Sequence, residues 1–176
     1  MTQELDGEAQ ARRLRFRGGR LDLEIEDILA IVPQRPPLLL LDRVLSLVPG
    51  EHAVAVKNVC GEEAGLRPQR HGFVFPSTLV VEALSQLAQL VVSGVSVPPE
   101  AEGAQVPDAD HWPRLVSIDA LQVHQELVRP VPLHLTVSVL GQESDGGAEG
   151  VACAAQASAE GGLIVDARLQ IARGGG

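Results

Sequence analysis

The run Pro76 to Ser93, PSTLVVEALSQLAQLVVS, restricts the possible folds of this chain most severely. A proline opens it and Gly94 follows as a stop, the usual asymmetry of a helix. Leucine, valine and alanine cover most of its circumference, and a helix apolar nearly all round has to be wrapped by other elements. The remaining segments are the right kind to wrap it. Arg114–His124, Val131–Gln142, Val151–Ala159 and Leu163–Ala172 read as four strands, with ESDGGAEG and EGG as turns between the last three. Upstream, RPPLLLLDRVLSLV runs into Pro49-Gly50, a turn signal, and HAVAVKNVC alternates as a strand, so the two make a hairpin. Leu21–Val32 has apolar residues at 25, 28, 29 and 32, the spacing of a short helix that Pro33 stops. Gly61–Phe75 and the proline-rich stretch after Gly94 read as loops; the second is long enough to be a functional lid or poorly ordered. The expectation is an α+β domain in which about six antiparallel strands curl around one long helix.

The long helix also carries a polar stripe. Ser85, Gln86, Gln89 and Ser93 lie 3, 4, 7 and 11 residues after Glu82, on one narrow face. That stripe is either a solvent-facing edge on a buried helix or the wall of a cleft or subunit interface, with Glu82 as its working group. A carboxylate beside apolar walls is suited to act as acid or base. Spacing alone leaves both readings open.

Charge and composition narrow the partners. The chain has 176 residues and a formal net charge of -9, which argues against nucleic acid and anionic membranes. Aromatic residues are only 2%, with no tyrosine, so the core has to be aliphatic. Residues 1–20 hold five arginines against Glu4, Asp6 and Glu8, net +2, which leaves -11 for the rest. This segment reads as a flexible arginine-rich extension, with residues 21–173 as a single domain; its positive charge also suits an acidic partner. No apolar segment follows it as in a signal peptide, and no apolar run is long enough to span a membrane. Cys60 and Cys153 lack metal-ligand spacing and read as small buried residues of a cytoplasmic protein.

Four stretches, in order, resemble the (3R)-hydroxyacyl-acyl-carrier-protein dehydratases. They are VPQRPPLLLLDRV (Val32–Val44), KNV followed by Glu62, FPSTLVVEALSQ (Phe75–Gln86) and SIDALQV (Ser117–Val123). The resemblance implies the hotdog fold, a dimer with active sites at its interface, and an acyl thioester as substrate, carried by acyl carrier protein or coenzyme A. It implies no cofactor and no metal, and a place in fatty acid or polyketide biosynthesis. In that family a histidine from the loop before the helix takes the C2 proton. A glutamate on the helix, from the opposite subunit, helps the hydroxyl leave. Glu82 falls on that glutamate and Gln86 on the glutamine that follows it, and Phe75, Pro76 and Ser77 fall on the substrate-binding helix start.

The chain departs from the pattern at the histidine. Eight residues before Pro76 stands Pro68, which cannot exchange a proton, and the nearest histidine is His71. Gln34 replaces the histidine of the early P-H-R motif, and Ser77 replaces the glycine at the helix start, where it or Thr78 is expected to cap the helix. The site expected from sequence is therefore Glu82 with His71 as substitute base. Three functions fit: a dehydratase of weak or altered activity, a hotdog thioesterase with Glu82 as base, or a non-catalytic subunit that pairs with an active homologue.

Overall fold

The computed structural model describes residues 15–17, 20–61, 67–69, 72–95, 111–145 and 148–173; of 15–17, 67–69, 143–145 and 148–149 the backbone alone is described. The elements in chain order are β1 (Arg15–Arg17), β2 (Arg20–Leu23), α1 (Ile25–Ile31), β3 (Arg43–Val48), β4 (His52–Asn58), β5 (Arg67–Gln69), β6 (Gly72–Val74), α2 (Ser77–Val92), β7 (Arg114–Val123), β8 (Pro132–Asp145), β9 (Ala148–Ala159) and β10 (Gly162–Ala172). Eight strands form one sheet in the order β1-β2-β3-β4-β8-β9-β10-β7, with every described pairing antiparallel. β5 and β6 make a separate two-stranded ribbon.

The long helix lies across one face of the large sheet, against β4, β7, β8, β9 and β10. Alternation along the strands sets that face. Leu133, Leu135 and Val137 of β8 are buried while His134, Thr136 and Ser138 are exposed. Beneath the helix, β9 presents Ala155 and Ala157, small residues that leave room for the leucines of α2. Leu84, Leu87 and Leu90 are all fully buried, each worth about 1.5–3 kcal/mol of transfer energy. Apart from Phe75 and Trp112 the buried core is aliphatic, as composition demanded.

Turn chemistry fixes the hairpins. Gly50 has φ +76° in the β3–β4 turn, and Glu51 N donates to Val48 O at 3.0 Å. Between β9 and β10, Glu160 and Gly161 both have positive φ, as a tight two-residue hairpin of the right twist requires. The family-like blocks meet in space. Asp42 accepts from Asn58 N at 2.5 Å and pairs with the buried Lys57 at 3.6 Å, so the LDRV and KNV stretches lock β3 to β4.

Several sequence expectations change. The helix expected over Leu21–Val32 is shorter, because Leu21 and Leu23 alternate into the core as strand β2 and the helix starts only at Ile25. The Glu24 N–H donates to the Asp27 carboxylate at 3.0 Å, which marks that start. Arg15–Arg17 pairs with β2, so the end of the arginine-rich segment extends the sheet; residues 1–14 lie outside the described residues. These strands raise the count from about six to eight. The stretch expected as one loop over Gly61–Phe75 contains the β5–β6 ribbon, with Pro68 opposite Phe73. Cys153 is buried as expected, but Cys60 is exposed at the end of β4.

Candidate functional site

The first turn of α2 is set by Pro76. Its carbonyl accepts from Leu79 N at 2.9 Å and Val80 N at 3.3 Å. No side chain caps the helix, which corrects the expectation for Ser77 or Thr78. At this helix start lies a cavity of about 130 Å³, bordered by Phe75, Pro76, Ser77, Gln125, Glu126 and Leu127. The approach is braced by Phe75, fully buried, whose N–H donates to Leu127 O at 2.8 Å. Three residues expected at the substrate end of the helix thus border one cavity.

The polar stripe is neither a wet edge nor an open cleft wall. Ser85, Gln86 and Gln89 are buried, and Glu82 is half-buried. Gln86 fastens the segment between α1 and β3 to the helix. Its Oε1 accepts from Leu40 N at 2.9 Å, and its Nε2 donates to Leu38 O at 2.7 Å and to Glu82 Oε1 at 2.8 Å. Leu40 N can only donate and Leu38 O can only accept, so the amide has one possible orientation. Both of its hydrogens are used, and it is 1% exposed. Gln86, expected among the substrate contacts, has no donor left for a ligand; it orients Glu82.

One turn on, Gln89 Oε1 accepts from Gln34 Nε2 at 3.2 Å and from Trp112 Nε1 at 3.0 Å, while its Nε2 donates to Ser85 Oγ at 3.1 Å. An indole N–H only donates, so this network is also fixed in direction. It pins Trp112, at the end of the long proline-rich stretch, to the helix. Sequence reasoning missed this role of Gln34 and Gln89; the signal available was two amides one turn apart on a helix otherwise aliphatic.

The described histidines stand elsewhere. His52 and His134 alternate with residues buried under α2 and so lie on the opposite face of the sheet. His124 pairs with Asp166, and His111 lies by the far end of α2. Among the described residues, Gln86 is the hydrogen-bond partner of Glu82. His71, expected as the substitute base, lies outside the described residues. No group of three metal-ligating side chains occurs among the described residues, and no helix there is long and apolar enough to cross a membrane.

On β7, in the SIDALQV stretch, Asp119 accepts from Ser117 Oγ at 2.7 Å and Gln170 Nε2 at 2.9 Å. These bonds, led by that of Ser117, hold its carboxyl below the usual range. β7 is a ten-residue edge strand whose Val116, Ile118, Leu121 and Val123 are 57%, 41%, 49% and 45% exposed.

Comparison with known proteins places this arrangement. No family model matches the chain. Among solved structures, the ApeI:P dehydratase heterocomplex of Xenorhabdus doucetiae superposes with a TM-score of 0.62 over 83% of this chain and 90% of that one, at 17% identity. A hypothetical thioesterase from Streptococcus pneumoniae TIGR4, solved with coenzyme A, gives 0.52 over 75% and 84%, at 10% identity. At these identities the likeness is one of fold, and the fold is the hotdog. Sequence relatives carry more. The 3-hydroxyacyl-acyl-carrier-protein dehydratase FabZ of Herpetosiphon aurantiacus is 47% identical over 73 residues, 40% of this chain and half of that enzyme. The FabZ of Bordetella parapertussis is 33% identical over 160 residues, 86% of this chain and 96% of the relative. With that near-complete match and the helix-borne Glu82–Gln86 pair in place, the chain belongs to the FabZ family of 3-hydroxyacyl-acyl-carrier-protein dehydratases.

Proposed function

We propose that this protein binds acyl thioesters and acts on 3-hydroxyacyl thioesters through Glu82, with dehydratase activity that is weak or altered relative to its relatives. The observation behind this is the state of Glu82. It is half-buried beside the buried Ser85, Gln86 and Gln89, one oxygen is held by an amide of fixed orientation, and Oε2 has no partner among the described residues. Dehydration needs a base to take the C2 proton and an acid to protonate the C3 hydroxyl as the C–O bond breaks. Glu82 supplies the second role. The first belongs, in the family, to a histidine where this chain has Pro68, and losing a placed base costs a factor of about 10²–10⁴. His71 is the substitute proposed for it.

Phe75, Pro76 and Ser77 hold the thioester end of the substrate in the cavity at the start of α2, where unpaired helix amides suit a carbonyl oxygen. The carrier is acyl carrier protein or coenzyme A, and the setting is fatty acid or polyketide biosynthesis in the cytoplasm. The exposed apolar edge of β7 supports a homodimer in which two sheets join edge to edge. A second reading, thioester hydrolysis with Glu82 activating water, is supported by Pro68, which cannot act as a base, since hydrolysis needs only the one carboxylate.

Turnover of 3-hydroxyacyl thioesters and thiol release from saturated acyl thioesters, measured side by side, separate the two. In either case Glu82→Gln abolishes turnover and leaves the fold intact. Unchanged kinetics in that variant overturn both readings. A wild type silent in both assays but active when mixed with an intact homologue identifies a pairing subunit instead.

A further inference from the structure

A second cavity, of about 460 Å³, lies at the other end of α2 from Ser77. Val91 and Val92 of the last helical turn, with Pro49 and Pro113, give it apolar walls. His111 and Arg173 reach it from the segments before β7 and after β10. Val91 is nine residues beyond Glu82, about 14 Å along the axis and half a turn around it, so this hollow is separate from the Glu82 site. Its volume is in the range of small-molecule sites.

The two basic side chains are the informative part. A cation near a helix C-terminus is ordinarily explained by the carbonyls there. Here two of those carbonyls have other partners: Val91 O accepts from Gly50 N at 2.8 Å and Leu90 O from Ser93 Oγ at 2.8 Å. Neither His111 nor Arg173 forms an ion pair with a described residue. The protein as a whole carries -9, so two basic groups on one apolar hollow run against its field. We infer that this cavity binds an organic anion with an apolar body, a carboxylate or phosphate on the forked guanidinium of Arg173 with His111 as a further donor. The inference does not depend on what Glu82 does.

The single tryptophan makes it testable. Trp112 stands between His111 and Pro113, and its buried indole is fixed on Gln89. The full-length protein is titrated with octanoate, hexyl phosphate and uncharged 1-hexanol, following tryptophan emission and, in parallel, heat by calorimetry. At least one anion is expected to bind saturably and hexanol not to; the tighter anion shows whether the ligand is a carboxylic acid or a phosphorylated compound. Arg173→Gln should weaken that binding about tenfold, the worth of one charge-assisted hydrogen bond, with His111→Gln doing less. Both residues are exposed, so unchanged thermal unfolding is the control for fold. Glu82→Gln should bind as wild type does. No saturable heat with either anion, equal binding of hexanol, or full affinity in the Arg173→Gln, His111→Gln double variant overturns the proposal.

Discussion

Replacing Gln86 by leucine tests whether that amide is a structural clasp. Leucine nearly fills the same volume, so the change removes hydrogen bonds without opening a large cavity. Leu40 is 4% exposed, and its N–H loses its acceptor; a buried donor left unpaired costs about 1–3 kcal/mol. Leu38 O also loses its donor, but that residue is 69% exposed and water can replace it, so its share is about 1 kcal/mol or less. The sum is about 1–4 kcal/mol, a large part of the stability of an ordinary domain. For a chain of this size each kcal/mol moves Tm by about 2–4 °C, so a fall of about 2–16 °C is expected. The assay is thermal unfolding at one fixed protein concentration, since any oligomer makes Tm concentration-dependent. Glu82→Gln is the comparison, expected within about 0.5 kcal/mol of wild type because the carboxylate is half-buried and its neighbour keeps its other bonds. If Gln86→Leu is equally harmless, the segment at residues 34–40 is held by something else and the clasp is refuted.

Burial pushes the Cys153 thiol up to about 11 from 9.0. The folded form then keeps a proton the unfolded chain gives up, so stability should fall as pH rises from about 9 to about 11, by about 1.4 kcal/mol per unit. Cys153→Ala should flatten that slope in denaturant titrations, and an unchanged slope refutes the assignment. Exposed Cys60 should react with a maleimide in the native protein while Cys153 waits for unfolding; mass spectrometry of the peptides reads both. Light scattering should show a dimer or larger assembly that Ile118→Arg weakens, and a monomeric wild type at micromolar concentration refutes edge-to-edge pairing through β7. Pro68→His should raise dehydration on the order of tenfold, short of a well-placed base because removing the proline also frees the ribbon.

How much of this was legible beforehand follows from the range of each interaction. The helix at 77–92 and the four C-terminal strands were readable because their signals are local: apolar periodicity, and turn residues such as Glu160-Gly161. Strand β2 was not. Leu21 and Leu23 alternate, but Ile25, Ile28 and Leu29 follow at helical spacing, and a four-residue strand cannot outvote the helix beside it until β3 supplies its partner. The stripe was legible as a stripe, yet its environment was not. Whether Ser85, Gln86 and Gln89 face water depends on Leu38, Leu40, Gln34 and Trp112, which are 23 to 55 residues away in sequence.

That distance bears on the reading of Glu82. Family likeness could mark positions 82 and 86 as a pair but not divide their tasks; hydrogen-bond direction does. A glutamine whose two hydrogens are committed to Leu38 O and Glu82 Oε1 has none left to donate to a substrate. The carboxylate it orients is held through Leu38 and Leu40 to the chain just before β3, where Asp42 fastens β3 to β4. An acid needs a stable position more than it needs neighbours, since misplacement forfeits most of its effect. The helix, the clasp and the sheet hold Glu82 in place, and in the proposed reading Pro68 stands where the family base would be. On the proposed function, Glu82 is the acid side of a dehydratase site, so restoring an imidazole at position 68 is the change most able to test that reading.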